Sequence, residues 1–281
     1  MVVKKYKDLF QNELISFFDS MEIDQFFYLT LEKMHRLKRV DLAMNPHFEI
    51  TAAEAQQWNA VLTQLKTQKP IQYILGETSF YGLTFHVNEH TLIPRPETEE
   101  LVQWILETTI SGLPITILDI GTGTGCIPIT LKKNLPKATI FGLDVSDKAL
   151  EVATINALYN ETDVAFLQKD ILATTLLDRS FDVIVSNPPY VRELEKKEIN
   201  PNVLQFEPHL ALFVSDNDPL LFYRKITQLA QDYLQPGGQL FFEINQYLGP
   251  AMIALVKSYG FTQIELRKDI YGNDRMLRAV K

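Results

Sequence analysis

Apolar residues recur at helical spacing through the first quarter of the chain. Leu9, Phe10, Leu14, Phe17 and Phe18 form one set, and Ile23, Phe26, Phe27, Leu31 and Met34 a second. Thr51-Ala52-Ala53-Glu54 predicts a capping box that opens another helix, with hydroxyl and carboxylate each satisfying a backbone N–H of the first turn. Lys69-Pro70 interrupts that pattern. The aromatic stripes predict the core of a small all-α domain over residues 1–75, suited to packing or recognition rather than chemistry. Over residues 76–93 the pattern changes to alternation. Thr78 to Val87, with Gly82 in its middle, predicts a β-hairpin connector. Pro96 then suits the first turn of a helix, where Glu97, Glu99 and Glu100 complement its positive end, and Leu101 and Trp104 continue its apolar face.

From about residue 114, strands and helices alternate. Apolar runs at 115–119, 138–143, 164–168, 181–186, 239–244, 261–267 and 276–280 predict strands, with helical stretches between most of them. This predicts an α/β domain over 94–281, a mostly parallel sheet with helices on both faces. Pro236-Gly237-Gly238 predicts a turn ahead of the fifth strand.

Composition narrows the setting. The 281 residues are 46% hydrophobic, enough for a sizeable core, and 27 basic against 35 acidic residues leave a net charge of −8. No global basic field exists to hold phosphates, so direct nucleic-acid binding is not expected. The single cysteine, Cys126, rules out an intrachain disulfide and fits a reducing compartment. The first residues lack a signal-peptide core, and no run approaches the ~18 apolar residues of a membrane helix. A cytoplasmic protein is expected. The five histidines, His35, His47, His86, His90 and His209, are scattered and predict no metal site.

The most informative residues are Asn187-Pro188-Pro189-Tyr190, which follow the apolar run Phe181-Asp182-Val183-Ile184-Val185-Ser186. Proline cannot continue a central strand, so the tetrapeptide belongs at its carboxyl end, where open α/β sheets bind ligands. A residue before proline is held extended, which aims the Asn187 side chain forward, and the prolines leave carbonyls without competing N–H groups. A planar NH2 group can donate to Asn187 Oδ1 and to the Pro188 carbonyl, with Pro189 and the Tyr190 ring beside it. That describes a receptor for an amide or an amino-base nitrogen. A proline-rich turn that merely ends a strand is the simpler alternative.

A second motif follows the first strand of the α/β half. Gly121-Thr122-Gly123-Thr124-Gly125 lets the backbone turn tightly toward a ligand, and free N–H groups at the next helix start favour a negative group. Asp144, at the end of the next strand, suits the two hydroxyls of a ribose. The spacing is not that of a dinucleotide fingerprint, which favours a ligand without a pyrophosphate. S-adenosylmethionine fits, with its adenosine at Asp144 and its amino-acid tail at the loop and Asp119. Asp170 is placed to accept from the adenine amino group, and Ile171 to cover an adenine face; a helix cap and a core residue are the plain alternatives. Both motifs fall at one edge of the sheet, and Asn187 is assigned to the cofactor as well as to the substrate.

Pro70-Ile71-Gln72-Tyr73-Ile74-Leu75-Gly76, Phe80-Tyr81-Gly82, the run Ile93 to Leu101, Leu118 to Cys126, Ser186 to Tyr190, Glu207-Pro208 with Ala211-Leu212, and Asn273-Asp274-Arg275 together resemble the release-factor glutamine methyltransferases (HemK/PrmC type). The resemblance spans about residues 70–280. It implies a seven-stranded, Rossmann-like methyltransferase sheet with a helical N-terminal, substrate-recognising domain. It implies S-adenosylmethionine as cofactor, S-adenosylhomocysteine as product, and the glutamine of the Gly-Gly-Gln loop of peptide-chain release factors as substrate. Two places depart from the family: residues 214–219 lack the expected glycines, and Pro128 stands early in the helix after the loop. The chain's own Gly237-Gly238-Gln239 is turn chemistry entering a strand, not a presented loop tip.

The expected chemistry needs no general base, and neither a paired carboxylate nor a histidine is expected near the tetrapeptide. The competing readings are an adenine-amino methyltransferase acting on DNA or RNA, a nicotinamide-dependent dehydrogenase, and a binding module with an inactive pocket.

Overall fold

The computed structural model describes residues 2–109 and 112–281. Its residues fall into two compact units, Met1–Gly76 together with Pro201–Phe206, and Glu77–Asn200 together with Glu207–Lys281.

The first unit is helical: α1 (Lys4–Leu14), α2 (Ser20–His35), α3 (Arg39–Met44), α4 (Ala52–Leu65) and α5 (Ile71–Leu75). Asp19 caps α2, accepting from the N–H groups of Met21 and Glu22. The predicted capping box opens α4: Glu54 N donates to Thr51 Oγ1 and Thr51 N to Glu54 Oε2. Both aromatic stripes enter one core around Trp58, where Phe10, Phe27 and Tyr6 pack ring on ring. Phe17 is the exception and stands exposed, because α1 ends at Leu14 and the helical register no longer holds beyond it.

The second unit begins with the hairpin β1 (Glu77–Phe80) and β2 (Leu83–His86). Tyr81 and Gly82 both have positive φ, 49° and 75°, as a two-residue turn of the type matching strand twist requires. Then come α6 (Pro96–Thr108), β3 (Thr116–Ile120), α7 (Cys126–Asn134), β4 (Thr139–Asp144), α8 (Asp147–Tyr159), β5 (Ala165–Gln168) and β6 (Phe181–Ser186). A two-residue parallel ladder, β7 (Val191–Arg192) with β8 (Phe213–Val214), brackets a 3₁₀ turn at Glu193–Glu198, α9 (Pro201–Phe206, in the first unit) and α10 (His209–Leu212). The chain finishes with α11 (Leu221–Tyr233), β9 (Leu234–Glu243), α12 (Gly249–Ser258), β10 (Thr262–Lys268) and β11 (Asp274–Val280).

Among the described residues the main sheet has seven strands in the order β10-β11-β9-β6-β3-β4-β5. All seven predicted strands are present. The ladders from β9 through β5 are parallel, and β11 runs antiparallel to both its neighbours. Alternate residues face opposite layers. Ile117, Val183, Val185 and Phe241 pack against α6 and α7, while Leu118, Ile184, Leu240 and Phe242 pack against α11 and α12. The central strands are buried on both faces and so are continuously apolar.

One element differs from expectation. Pro236-Gly237-Gly238 is not a turn before the fifth strand but lies inside β9, which starts at Leu234. Gly237 has φ 79°, and pairing with β6 jumps from Phe181↔Leu234 to Val183↔Gln239. A step of two residues along β6 is matched by five along β9, so the proline and glycines are taken up as an irregularity within the strand. Gln239 is held inside the sheet, accepting from Arg278 Nε at 2.5 Å.

The chain leaves β3 toward β4 and β5, then returns to place β6 on the other side of β3. The carboxyl ends of β3 and β6 therefore flank the point where strand order reverses, the place where such sheets bind ligands.

Candidate active site

The glycine loop and the tetrapeptide meet at this switch point. Ser186 Oγ donates to the Ile120 carbonyl at 2.6 Å and ties the two strand ends together. A Cβ on Gly121 would stand 3.9 Å from the Asn187 carbonyl oxygen. The two motifs are thus neighbours, as their positions after adjacent strands predict.

The loop is wound tightly. Gly121, Gly123 and Gly125 all have positive φ, 77°, 53° and 77°. Gly121 N and Thr122 N both donate to Leu143 O, Gly123 N to Asp144 Oδ2 at 2.9 Å, and Gly125 N to Thr122 O. These four N–H groups are committed within the protein and are not among the donors expected to face a ligand. Pro128 sits within the first turn of α7, where a missing N–H costs nothing. Asn156, fully buried on α8, supports the loop from behind: its Nδ2 donates to Thr124 O and to His86 O, and its Oδ1 accepts from His86 N.

Asp119 is the unusual group. It is 0% exposed, and among the described residues neither carboxylate oxygen has a hydrogen-bond partner. Burial pushes its pKa up to about 7; the Thr122 hydroxyl, close by but outside hydrogen-bond geometry, opposes this, and the charge of Asp144 adds to it. The Thr122 hydroxyl is also buried without a partner. A buried unpaired carboxylate is costly, and beside a glycine loop it fits a ligand that brings a cation. Asp144 is partly buried, with Oδ1 accepting from Ser146 N at 3.0 Å, and burial raises its pKa. A Cβ on Gly142 would meet Phe166 at 2.8 Å and Thr122 Oγ1 at 2.9 Å, so that glycine lets both close over the strand end. These features fit the amino-acid and ribose portions of the expected cofactor. Asp170, exposed, caps the turn after β5 by accepting from Leu172 N at 2.8 Å, and Ile171 is buried in the core on the α11 side.

On the tetrapeptide side, Asn187 Nδ2 donates to Thr98 Oγ1 at 3.3 Å, and Thr98 Oγ1 donates to Glu243 Oε2 at 2.6 Å. The other oxygen of Glu243 accepts from Tyr190 OH at 3.0 Å. Pro188 is buried and Pro189 partly so. Burial, reinforced by the nearby Glu243 charge, pushes the Tyr190 phenol well up, so it stays a donor. Burial raises the Glu243 pKa against the pull of its two donors. Asn187, Tyr190 and Glu243 line a pocket of about 50 Å³ with Leu92, Arg95, Val191, Ala211 and Leu212. Arg95 pairs with the buried Glu207, which also accepts from Ile93 N at 3.2 Å. Asn245 Nδ2 holds the Tyr190 carbonyl at 3.0 Å.

Glu243 is not among the residues expected at the site. A carboxylate does lie next to the tetrapeptide, brought there because β9 runs parallel beside β6. Its oxygens are occupied by Thr98 and Tyr190, so it is no free base. Thr98, Glu243 and Asn156 escape a sequence reading because their partners lie 89, 53 and 32 residues away at the nearest site contact. The available signal was a lone acid in Leu240-Phe241-Phe242-Glu243-Ile244, since buried charges are paired.

The chain is 60% identical over 282 residues to the release factor glutamine methyltransferase of Flavobacterium psychrophilum, covering 99% of each chain. It belongs to the release factor glutamine methyltransferase family. The family member of Bacteroides thetaiotaomicron is 44% identical over 85% of this chain and 86% of its own, and that of Streptococcus pneumoniae 38% over 95% and 94%. Residues 98–206 match the family described as Methyltransferase small domain, and residues 23–76 the PrmC N-terminal domain, so the likeness extends further into the helices than the motifs alone indicate. A crystal structure of a methyltransferase from Pyrococcus furiosus, 20% identical, aligns with a TM-score of 0.53 over 72% of this chain and 91% of its own. An rRNA methyltransferase of T. thermophilus, solved with AdoMet and guanosine, has 19% identity and a TM-score of 0.53 over 73% and 49%. The fold is that of a methyltransferase. The family's motifs around Asp119, Asn187, Glu207 and Arg275 all fall in the second unit.

Proposed function

We propose that this chain transfers a methyl group from S-adenosylmethionine to the side-chain amide nitrogen of the glutamine in the Gly-Gly-Gln loop of peptide-chain release factors. The observation that carries the substrate is the 60% identity, over 99% of both chains, with a release factor glutamine methyltransferase; the commitment of Asn187 Nδ2 to Thr98, which leaves Oδ1 as the end that accepts from a ligand, supports the chemistry. When bound, S-adenosylmethionine supplies a methyl group activated on a sulfonium. Asp119 and the first turn of α7 hold its amino-acid end, Asp144 its ribose, and Asp170 and Ile171 its adenine.

An amide nitrogen is a poor nucleophile because its lone pair is delocalised into the carbonyl. Asn187 Oδ1 and the Pro188 carbonyl accept the two N–H bonds of the incoming carboxamide, with Pro189 and Tyr190 flanking its plane. This holds the nitrogen by its two N–H bonds and leaves its lone-pair face open, where the bound cofactor would supply the methyl group. Positive charge grows on nitrogen as the new bond forms, and both acceptors then bind more strongly. By analogy with oxyanion holes each good contact contributes roughly 3–4 kcal/mol; holding the reacting groups in register supplies much of the rest. The methylated amide is a strong acid and releases its proton to water, so Glu243 need not act as a base. The release factor is the partner, the helices over 1–75 its recognition surface, and the cytoplasm the site of action.

The test is mass spectrometry of a release factor treated with the enzyme and S-adenosylmethionine, with DNA and RNA as parallel substrates. One methyl group on the Gly-Gly-Gln glutamine is expected. Unmodified glutamine, or label on nucleic acid instead, overturns the reading.

A further inference from the structure

We propose that Thr98 and Glu243 are positioning residues that dictate which end of the Asn187 carboxamide meets the substrate. The inference rests on the reading that Asn187 Oδ1 accepts from the reacting amide. A carboxamide has two ends of nearly the same shape and opposite hydrogen-bonding sense. Reversed, Asn187 would present its NH2 to the NH2 of the substrate, donor against donor, and the substrate nitrogen would lose its acceptor.

A threonine hydroxyl by itself does not choose between the two, because it donates as readily as it accepts. Here the choice is made one step further back. Thr98 Oγ1 donates to Glu243 Oε2 at 2.6 Å, and with the Tyr190 hydroxyl on the other oxygen the carboxyl group of Glu243 acts as an acceptor only. The single proton of Thr98 is therefore committed, and toward residue 187 the hydroxyl can only accept. Asn187 answers with Nδ2 at 3.3 Å. The carboxylate is pinned as well, since its other oxygen receives the Tyr190 hydroxyl at 3.0 Å. Thr98 is 3% exposed and Glu243 1%, which leaves little room for water to substitute. One carboxylate thus sets both polar handles of the tetrapeptide, the amide sense of Asn187 and the ring of Tyr190.

The test compares methyl transfer by Thr98→Val, Thr98→Ser and Glu243→Gln, each alone and with Asn187→Ala, alongside cofactor binding by calorimetry. Thr98→Val keeps the shape and removes the hydroxyl; kcat should fall by about 10²-fold, the scale of a misplaced reacting group, with cofactor affinity within about twofold of wild type. Thr98→Ser should restore most of the turnover. Glu243→Gln presents an N–H where the hydroxyl proton was received and frees that proton for Asn187 Oδ1; it should cost as much as Thr98→Val, with little further loss when the two are combined. In the Asn187→Ala background, Thr98→Val should cost less than about twofold, because no amide remains to orient.

Full turnover by Thr98→Val with Asn187→Ala inactive overturns this inference and leaves the role of Asn187 standing. An undiminished Thr98→Val penalty in the Asn187→Ala background, or equal losses for valine and serine, reduces Thr98 to a packing role and overturns it too. Normal turnover by Asn187→Ala removes the underlying reading itself. Where Glu243→Gln yields no folded protein, the valine and serine variants decide the matter alone.

Discussion

Two carboxylates at the carboxyl edge of the sheet are equally buried and differently employed. Asp119 is the penultimate residue of β3, with neither oxygen bonded among the described residues, while Glu243 ends β9 with both oxygens filled by Thr98 and Tyr190. Burial raises the pKa of both. The unpaired group costs stability, and in the proposed function the cofactor carries the missing partner. The paired group accepts from the protein's own Thr98 and Tyr190, which in the proposed reaction it positions without reacting. On the proposed function the same residue chemistry serves binding in one place and support in the other, and satisfaction by the protein distinguishes them.

The contrast is broken most forcefully at Asp119. Asp119→Asn should lower cofactor affinity by about 10²-fold or more in calorimetric titration, because a desolvated charge pair loses one member. The same change should stabilise the cofactor-free protein at pH 8. Displacement of the carboxyl from 3.8 to about 7 corresponds to roughly 4 kcal/mol, an upper figure for the gain seen in denaturant melts. Loss of stability on substitution at pH 8 would show that the carboxylate is paired after all.

A second difference lies in pH. Asp119 is protonated in the folded state up to about pH 7, while in the unfolded chain it ionises near its ordinary value. Between those limits the native state binds the extra proton, so stability falls as pH rises through the window. Denaturant melts of the cofactor-free protein at pH 5 and pH 8 should show that fall. Asp119→Asn should flatten it, leaving the contribution of the same sign from Asp144 and Glu243, whose pKa values are also raised by burial. Saturating cofactor should flatten it likewise.

On the paired side the sign reverses. Thr98→Val strands Glu243 Oε2 and Asn187 Nδ2 and should destabilise by roughly 2–3 kcal/mol. Tyr190→Phe strands one oxygen of Glu243 and should cost about 1–2 kcal/mol. Thermal melts of both variants beside Asp119→Asn should give opposite displacements.

Much of this arrangement is legible in the chain. The strands announce themselves by apolar runs, and both motifs are placed by standing directly after strands that prove adjacent. The hairpin turn is fixed by Tyr81-Gly82, and the α4 start by Thr51 and Glu54, because each rests on neighbouring residues. What stays hidden depends on distance or on context. Thr98 lies among the acids of a helix start and reveals nothing until β9 brings Glu243 beneath it, 145 residues later. Pro236-Gly237-Gly238 has turn chemistry, yet pairing with β6 on either side makes it an irregularity within one strand. Phe17 fits a helical stripe only while the helix lasts.

The central claim is that a carboxamide becomes reactive through acceptors held by the protein, Asn187 first among them. Its most direct test is single-turnover methyl transfer to a release factor by Asn187→Ala, with S-adenosylmethionine binding measured on the same preparation. Transfer should fall by about 10²–10³-fold, the scale of one lost transition-state contact, while the cofactor still binds. Near-normal transfer by that variant would contradict the account.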